Sequence, residues 1–308
     1  ARVFPVRATP SREAVTVIMN GSSSSKPTVS VIIPTYDRRE VLPRALDSVL
    51  AQTSTPWELL VVDDGSADGT SAMLAERYPG VEVLEQPNRG VSAARNLGIA
   101  KARGEWIALL DSDDVWLPTK LERQLAALDA APAHRLCHTE EIWIRNGRRV
   151  NQMKKHAKSG GHIYQKCLPL CCISPSSVLI HRSLFEDVGG FDESLPACED
   201  YDLWLRVTAR ESVLFVDEPL IEKYGGHDDQ LSRKHWGMDR FRIRALEKIL
   251  SEGVLDANNE YETRLMLVRK LEILINGAKK RGTVSAVEQF IPDLEREKRA
   301  LDALEVSS

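Results

Sequence analysis

The sequence predicts an α/β fold: an open twisted sheet with helices on both faces, followed by appended C-terminal helices. Three observations carry this. Apolar runs of strand length alternate with helix-period segments from residue 29 to 128, the spacing of βαβ units. Three of the strand runs end in polar clusters, Pro34-Thr35-Tyr36, Asp63-Asp64-Gly65-Ser66 and Asp111-Ser112-Asp113-Asp114. Ligands of open α/β sheets bind beyond the carboxyl ends of the strands. From about Trp236 the chain turns charged and helical.

Taken in order, Val29 to Ile33 is a β-branched run closed by Pro34, fit for a buried parallel strand. Arg39 to Gln52 places Val41, Leu42, Ala45, Leu46, Val49 and Leu50 on one helical face. Glu58 to Val62 is a second strand, Thr70 to Tyr78 a second helix and Val81 to Leu84 a third strand. Ser92 to Arg103 reads as a helix ended by Gly104 in the left-handed position. Glu105 to Leu110 is a fourth strand, with a helix near Pro118 to Leu128. Beyond it, Leu136 to Arg145 and Arg148 to Val150 form a hairpin about Asn146-Gly147. Arg182 to Val188 is a short helix stopped by Gly189-Gly190, Glu199 to Arg210 a helix, and Val213 to Val216 a strand. In the tail, Leu265, Leu267, Val268, Leu271, Ile273 and Leu274 form an apolar stripe, so two or three helices with an antiparallel pair are expected.

This divides the chain into a flexible segment 1–28, a domain 29–235 and a helical appendage 236–308. The domain splits into a nucleotide-binding half, 29–128, and an acceptor-side half, 129–235. Gly21 and Ser22 to Ser25 read as linker, and Met19 just before them as the natural start. The tail carries no recognisable site chemistry.

The 308 residues are 43% apolar and 28% charged, ordinary for a globular protein. A net charge of -4 argues against a nucleic-acid partner. No apolar run reaches the ~18 residues of a membrane span. Five cysteines without a C-x-x-C spacing read as reduced thiols of a cytosolic protein.

The carboxylates after the second and fourth strands would repel one another if left bare. A hard divalent cation, Mg²⁺ or Mn²⁺, relieves this and takes phosphate oxygens in its remaining positions. The rival reading of Asp111 to Asp114 is a polar loop that starts the next helix, and that of Asp63-Asp64 a plain turn. Neither a G-x-G-x-x-G nor a G-x-x-x-x-G-K-[ST] occurs, which disfavours dinucleotide oxidoreductases and P-loop enzymes. Arg95, one turn into its helix, can reach a phosphate or ribose, or be solvated.

Several motifs resemble family 2 glycosyltransferases. They are Val-Ser-Val-Ile-Ile-Pro-Thr-Tyr (29–36), Val-Val-Asp-Asp-Gly-Ser (61–66), Asn-Arg-Gly-Val-Ser-Ala-Ala-Arg-Asn (88–96) and Leu-Asp-Ser-Asp-Asp (110–114). Gly-Gly-Phe-Asp-Glu (189–193) and Glu-Asp-Tyr-Asp-Leu-Trp (199–204) complete the set, which spans about residues 29 to 228. The resemblance implies a GT-A fold, a nucleotide-diphosphate sugar donor with UDP-sugars favoured, Mn²⁺ or Mg²⁺, and inversion at the anomeric carbon. It implies that Pro34, Thr35 and Tyr36 line the base pocket, and that Asp63, Asp64 and Gly65 belong to the same region, with Asp64 on the base. Arg95 and Asp113 then face the nucleoside, with Asp111 among the donor-binding residues, Asp114 with Asp113 the metal, and Glu199-Asp200 supplies a general base, Asp200 preferred. His227 resembles the family's late histidine at the metal or diphosphate, against an ordinary structural histidine.

The processive members' Q-x-x-R-W is absent, so a single transfer is expected. The acceptor is a hydroxyl. The basic stretch Arg145 to Lys158, which contains no acid, reads either as a solvated loop or as a guide for a lipid- or phosphate-linked acceptor or an anionic membrane surface. The expected place is the cytoplasm, or the inner face of the cell membrane. The rivals are a non-catalytic nucleotide-sugar or carbohydrate binder and a sugar-phosphate nucleotidyltransferase. The latter wants a glycine-rich basic loop where Pro-Thr-Tyr-Asp stands.

Overall fold

The computed structural model describes residues 28–226, 235–283, 285 and 287–306. Met19, the serine-rich linker and His227 lie outside the described residues. The first half alternates as expected: β1 (Val29–Thr35), α1 (Leu42–Leu50), β2 (Glu58–Asp63), α2 (Thr70–Arg77), β3 (Glu82–Glu85), α3 (Val91–Lys101) and β4 (Trp106–Leu109). Then come β5 (Val115–Trp116), α4 (Lys120–Ala130), β6 (Leu136–Arg145), β7 (Arg148–Val150), α5 (Tyr164–Cys167) and β8 (Leu179–His181). The chain continues through α6 (Ser183–Val188), α7 (Glu199–Thr208) and β9 (Leu214–Gly225) to α8 (Asp239–Ser251), α9 (Ala257–Arg281) and α10 (Ile291–Val306).

The described strands form one sheet in the order β3-β2-β1-β4-β8-β6-β9-β5, with β7 on β6. β1 to β4 are mutually parallel, while β8 runs antiparallel between β4 and β6. Both faces are covered. Ile32, Leu60, Val62, Ile107 and Leu109 belong to one core cluster, and Val31, Ile33, Leu59, Val61 and Ala108 to the other. The alternation follows from the two-residue period of a strand, and it explains why these runs are apolar throughout.

Three local expectations change. Gly104 does not cap a helix in the left-handed region; α3 closes through Ala102. Glycine is required there because a Cβ would lie 2.5 Å from Ser30 Oγ and 2.7 Å from Ser30 N, where the chain crosses β1. The strand at Val213 to Val216 continues to Gly225. Its polar Asp217-Glu218-Pro219 reads as a strand end but forms an irregularity, with Thr139 opposite Val216 and Glu140 opposite Pro219. The short strands β5 and β8 carry no period long enough to read. The Asn146-Gly147 hairpin stands as expected, with φ of 48° and 71°, both in the left-handed region that a two-residue hairpin loop favours.

Among the described residues three α-helices form the tail. Asp256 opens α9 by accepting a hydrogen bond from Asn259 N at 2.7 Å, and Gly282 (φ 67°) closes it. Leu267, Leu271, Leu274 and Ile275 are buried in the same core cluster as Tyr201, Trp204 and Leu205 of α7. Ile273 departs from the expected stripe: it is 62% exposed, on the opposite side of the helix. Among the described residues no helix is long and apolar enough to cross a membrane.

Candidate active site

A cleft of about 790 Å³ lies at the carboxyl ends of β1, β2 and β4. Its walls include Pro34, Thr35, Tyr36, Asp64, Arg95, Asp111, Asp113, Asp114, Glu199 and Asp200. Pro34, Asp64 and Asp111 thus reach one cavity, because parallel strands deliver their carboxyl ends to one edge. Asp63 and Gly65 do not line it. They border a separate depression of about 310 Å³ with Ser66, Ser71 and Gln86. The Asp63 carboxylate holds its own turn, accepting from Ser66 N at 2.9 Å and Ser71 Oγ at 2.8 Å.

Asp64 is buried and accepts hydrogen bonds from Gln86 Nε2 (2.6 Å), Arg89 N (2.9 Å) and Gly90 N (2.8 Å). Its carboxylate pins the loop that leads into α3. Arg95, in the first turns of that helix, is buried and donates to Glu199 Oε1 at 2.8 Å and Asp111 Oδ1 at 2.6 Å. Its guanidinium also sits 4.9 Å from the Phe191 ring centre. Burial opposes its charge, but Asp111 and Glu199 hold its pKa above the ordinary value. Arg95 therefore ties the acidic turn after β4 to the start of α7 while it lines the cleft.

The turn after β4 divides its carboxylates. Asp114 is buried, accepting from Ser176 Oγ at 2.6 Å and Tyr224 N at 2.9 Å. Burial, then Asp113 and Asp111, push its pKa well up. Asp111 and Asp113 are only partly buried. The Asp113 carbonyl accepts from Arg44 Nη2 at 2.6 Å, and the Arg44 guanidinium lies 3.6 Å from the Tyr224 ring centre. Among the described residues no three His, Cys, Asp or Glu side chains close on a metal-sized point. Two carboxylates on a cleft wall nonetheless suit a hard cation that takes its other oxygens from a diphosphate and water.

At the start of α7, Cys198 holds φ at 63°, a left-handed conformation uncommon outside glycine. The helix opens with Glu199 and Asp200 in its first turn, where carboxylates suit the helix dipole. Glu199 is buried against Arg95; burial and the neighbouring Asp200 raise its pKa, opposed by Arg95. Asp200 accepts from Cys171 Sγ at 3.1 Å and from Tyr201 N at 2.7 Å.

Cys171, Lys223, Met238 and Arg242 also line the cleft, and none carries a motif. Lys223 sits on the part of β9 beyond the irregularity. Met238 and Arg242 come from the start of α8, so the tail contributes to the site, against the expectation that it does not. The strand-favouring Ile221 and Tyr224 after Pro219 are the sequence signal that could have extended β9 to Lys223. The basic stretch changes too: Lys158 turns inward and pairs with Glu141 of β6 at 3.2 Å.

A sequence profile described as Glycosyl transferase family 2 matches residues 30–189, more than half of the chain. The chain belongs to this family. Among curated relatives, an uncharacterized glycosyltransferase of Rickettsia conorii is 28% identical over 263 residues, covering 80% of this chain and 41% of its own. One of Rickettsia typhi is 33% identical over 215 residues, 66% of this chain and 65% of its own. The chain thus spans less than two thirds of the length of these Rickettsia relatives. The Escherichia coli UDP-Glc:alpha-D-GlcNAc-diphosphoundecaprenol beta-1,3-glucosyltransferase WfgD is 34% identical over 191 residues, 61% of this chain and 73% of its own. In structure the chain is similar to S. aureus TarS 1-349 in complex with UDP-GlcNAc. The TM-score is 0.68 at 22% identity, covering 89% of this chain and 83% of that one. The fold is GT-A, an α/β sheet with C-terminal helices.

Proposed function

We propose that the chain is a divalent-cation-dependent glycosyltransferase that moves one sugar from a UDP-sugar to a hydroxyl acceptor, with inversion, in the assembly of a cell-surface glycan. One observation carries this: Asp111 and Asp113 share a cleft with Asp200, and Arg95 joins the two groups through Asp111 and Glu199. The names of WfgD and of the UDP-GlcNAc complex of TarS support the donor class.

Sugar transfer with inversion is an in-line displacement at C1. Pro34, Thr35 and Tyr36, with Asp64 behind them holding the 86–90 loop, form the wall for the nucleoside. Asp113, with Asp111, would hold the cation; Asp114 also tethers this turn to β9, so Asp113 is preferred to it as metal ligand. His227 remains a candidate further ligand. A cation bound there supplies positive charge for the departing diphosphate. Asp200 takes the proton of the acceptor hydroxyl as C1 is attacked. The thiol of Cys171 and the amide of Tyr201 fix the plane of its carboxylate. Glu199 is held by Arg95 and is the less available member of the pair.

The test is a thermal-shift screen of nucleotides and nucleotide sugars with and without Mn²⁺. UDP and UDP-sugars should raise Tm more with Mn²⁺ than without. No shift with any nucleotide would contradict the donor class, and metal-independent shifts would contradict the cation. Binding without donor turnover would favour a non-catalytic binder.

A further inference from the structure

Lys223 lines the cleft from the second half of β9, partly buried. An ammonium has three donors. Lys223 spends one on Ser174 Oγ, at 2.8 Å. The acids whose charges reach it are engaged elsewhere. Glu141 pairs with Lys158 at 3.2 Å, Asp111 with Arg95 at 2.6 Å, and Asp114 accepts from Ser176 and Tyr224 N. Among the described residues no carboxylate forms an ion pair with Lys223. Burial opposes its charge, but Glu141, Asp114 and Asp111 hold its pKa above the ordinary value, so it is a cation at neutral pH.

Its place is as informative as its charge. The next residue, Tyr224, is pinned by its backbone amide to Asp114 in the acidic turn. Cys171, whose thiol donates to Asp200, lines the same cleft. Lys223 therefore shares one cleft with the acidic turn and Asp200, where the donor reading puts the diphosphate. Nearby carboxylates keep it charged without a direct pair, so its remaining donors are open to an anion in the cleft.

We infer that Lys223 binds the diphosphate of the nucleotide donor, contacting the oxygens that accumulate charge as the sugar departs. The inference rests on the donor reading above and goes beyond it: charge on the leaving group is answered by the chain itself as well as by a cation. A charged hydrogen bond of this kind is worth about 10- to 100-fold in affinity.

The experiment compares UDP with UMP by titration calorimetry in chelator, on the parent, Lys223→Met and Lys223→Arg. The parent should prefer UDP over UMP by about 10- to 100-fold. Lys223→Met should lose that preference while binding UMP as the parent does, and Lys223→Arg should keep most of it. Retained UMP binding also reports that the variant is folded. Lys223→Gln, which keeps a hydrogen-bonding end, gives the same comparison where methionine is not tolerated. An unchanged UDP preference in the Met or Gln variant overturns the inference and leaves the donor reading standing. A parent that binds neither UDP nor UMP, with Mn²⁺ as well as in chelator, overturns the uridine donor reading, and this inference with it.

Discussion

The two walls of the cleft are held by different means. On the wall formed by β1, β2 and β4, Asp64, and Asp63 behind it, are oriented by neutral donors: backbone amides, a serine hydroxyl and a glutamine. On the wall formed by β6, β9, α7 and α8, charge answers charge, as in Glu141 with Lys158, and Asp239 with both Arg242 and Lys270. Arg95 joins the two walls. Neutral donors leave a carboxylate anionic at little cost, so substitutions on the first wall should act mainly on ligand binding. Removing one member of a buried ion pair leaves the other uncompensated, so substitutions on the second wall should cost stability as well.

Asp200 offers the strongest way to break this contrast, because it stands on the second wall without an ion pair among the described residues. Asp200→Asn should lower the transfer rate by about 10² to 10⁴ with donor affinity nearly unchanged. Glu199→Gln should lower the rate less but also reduce Tm, since it removes one of the two counter-ions of Arg95. Near-parent rates for Asp200→Asn with a dead Glu199→Gln would exchange their roles.

Glu141 tests the cost of a stranded charge. Burial opposes its ionisation, yet Lys158 and Lys223 bring its pKa down to about 2, against 4.5 ordinarily. Its contribution is present above pH 4.5 and is lost as the pH falls towards 2. Glu141→Gln should cost about 3–5 kcal/mol at neutral pH by denaturant unfolding. The gap from the parent should narrow on acidification below pH 4.5. A gap independent of pH would show that the pair does not hold the wall.

The acidic turn sharpens the comparison, since its two carboxylates face different surroundings. Asp113→Asn should remove Mn²⁺-stimulated UDP binding and leave Tm near the parent value. Asp114→Asn should lower Tm, by about 1–3 kcal/mol for the disturbed buried hydrogen bonds. Metal-stimulated binding that survives in Asp113→Asn and vanishes in a folded Asp114→Asn would return the metal to Asp114. The smallest effect belongs to Ile273: Ile273→Ser, on the exposed side of α9, should stay within about 0.5 kcal/mol of the parent.

The same contrast decides what the sequence reveals. Strands β1 to β4 are buried on both faces, so each reads as an apolar run, and their ends carry the motifs. Pro34 to Tyr36, Asp64, Arg95, Asp111, Asp113 and Asp114 were therefore legible as neighbours of one cleft. Their individual contacts were not: that Arg95 is spent on Asp111 and Glu199 depends on α7, more than a hundred residues away. On the second wall, Asp217-Glu218-Pro219 hides the continuation of β9, and Lys223 with it. Cys171 and Arg242 reach the cleft through packing of loop and tail, which no local period encodes. Asp63 reads like Asp64 in a turn motif, but successive residues of a strand end point to opposite sides, and only Asp64 faces the cleft.

The most direct test of the central claim is UDP release from a panel of UDP-sugars, with Mn²⁺ and with chelator, by the parent and Asp200→Asn. Donor hydrolysis needs only water as acceptor, so the natural acceptor need not be known. The account predicts metal-dependent release by the parent, and its loss in Asp200→Asn with UDP binding retained. Release that is indifferent to metal, or equal in the two proteins, would contradict it.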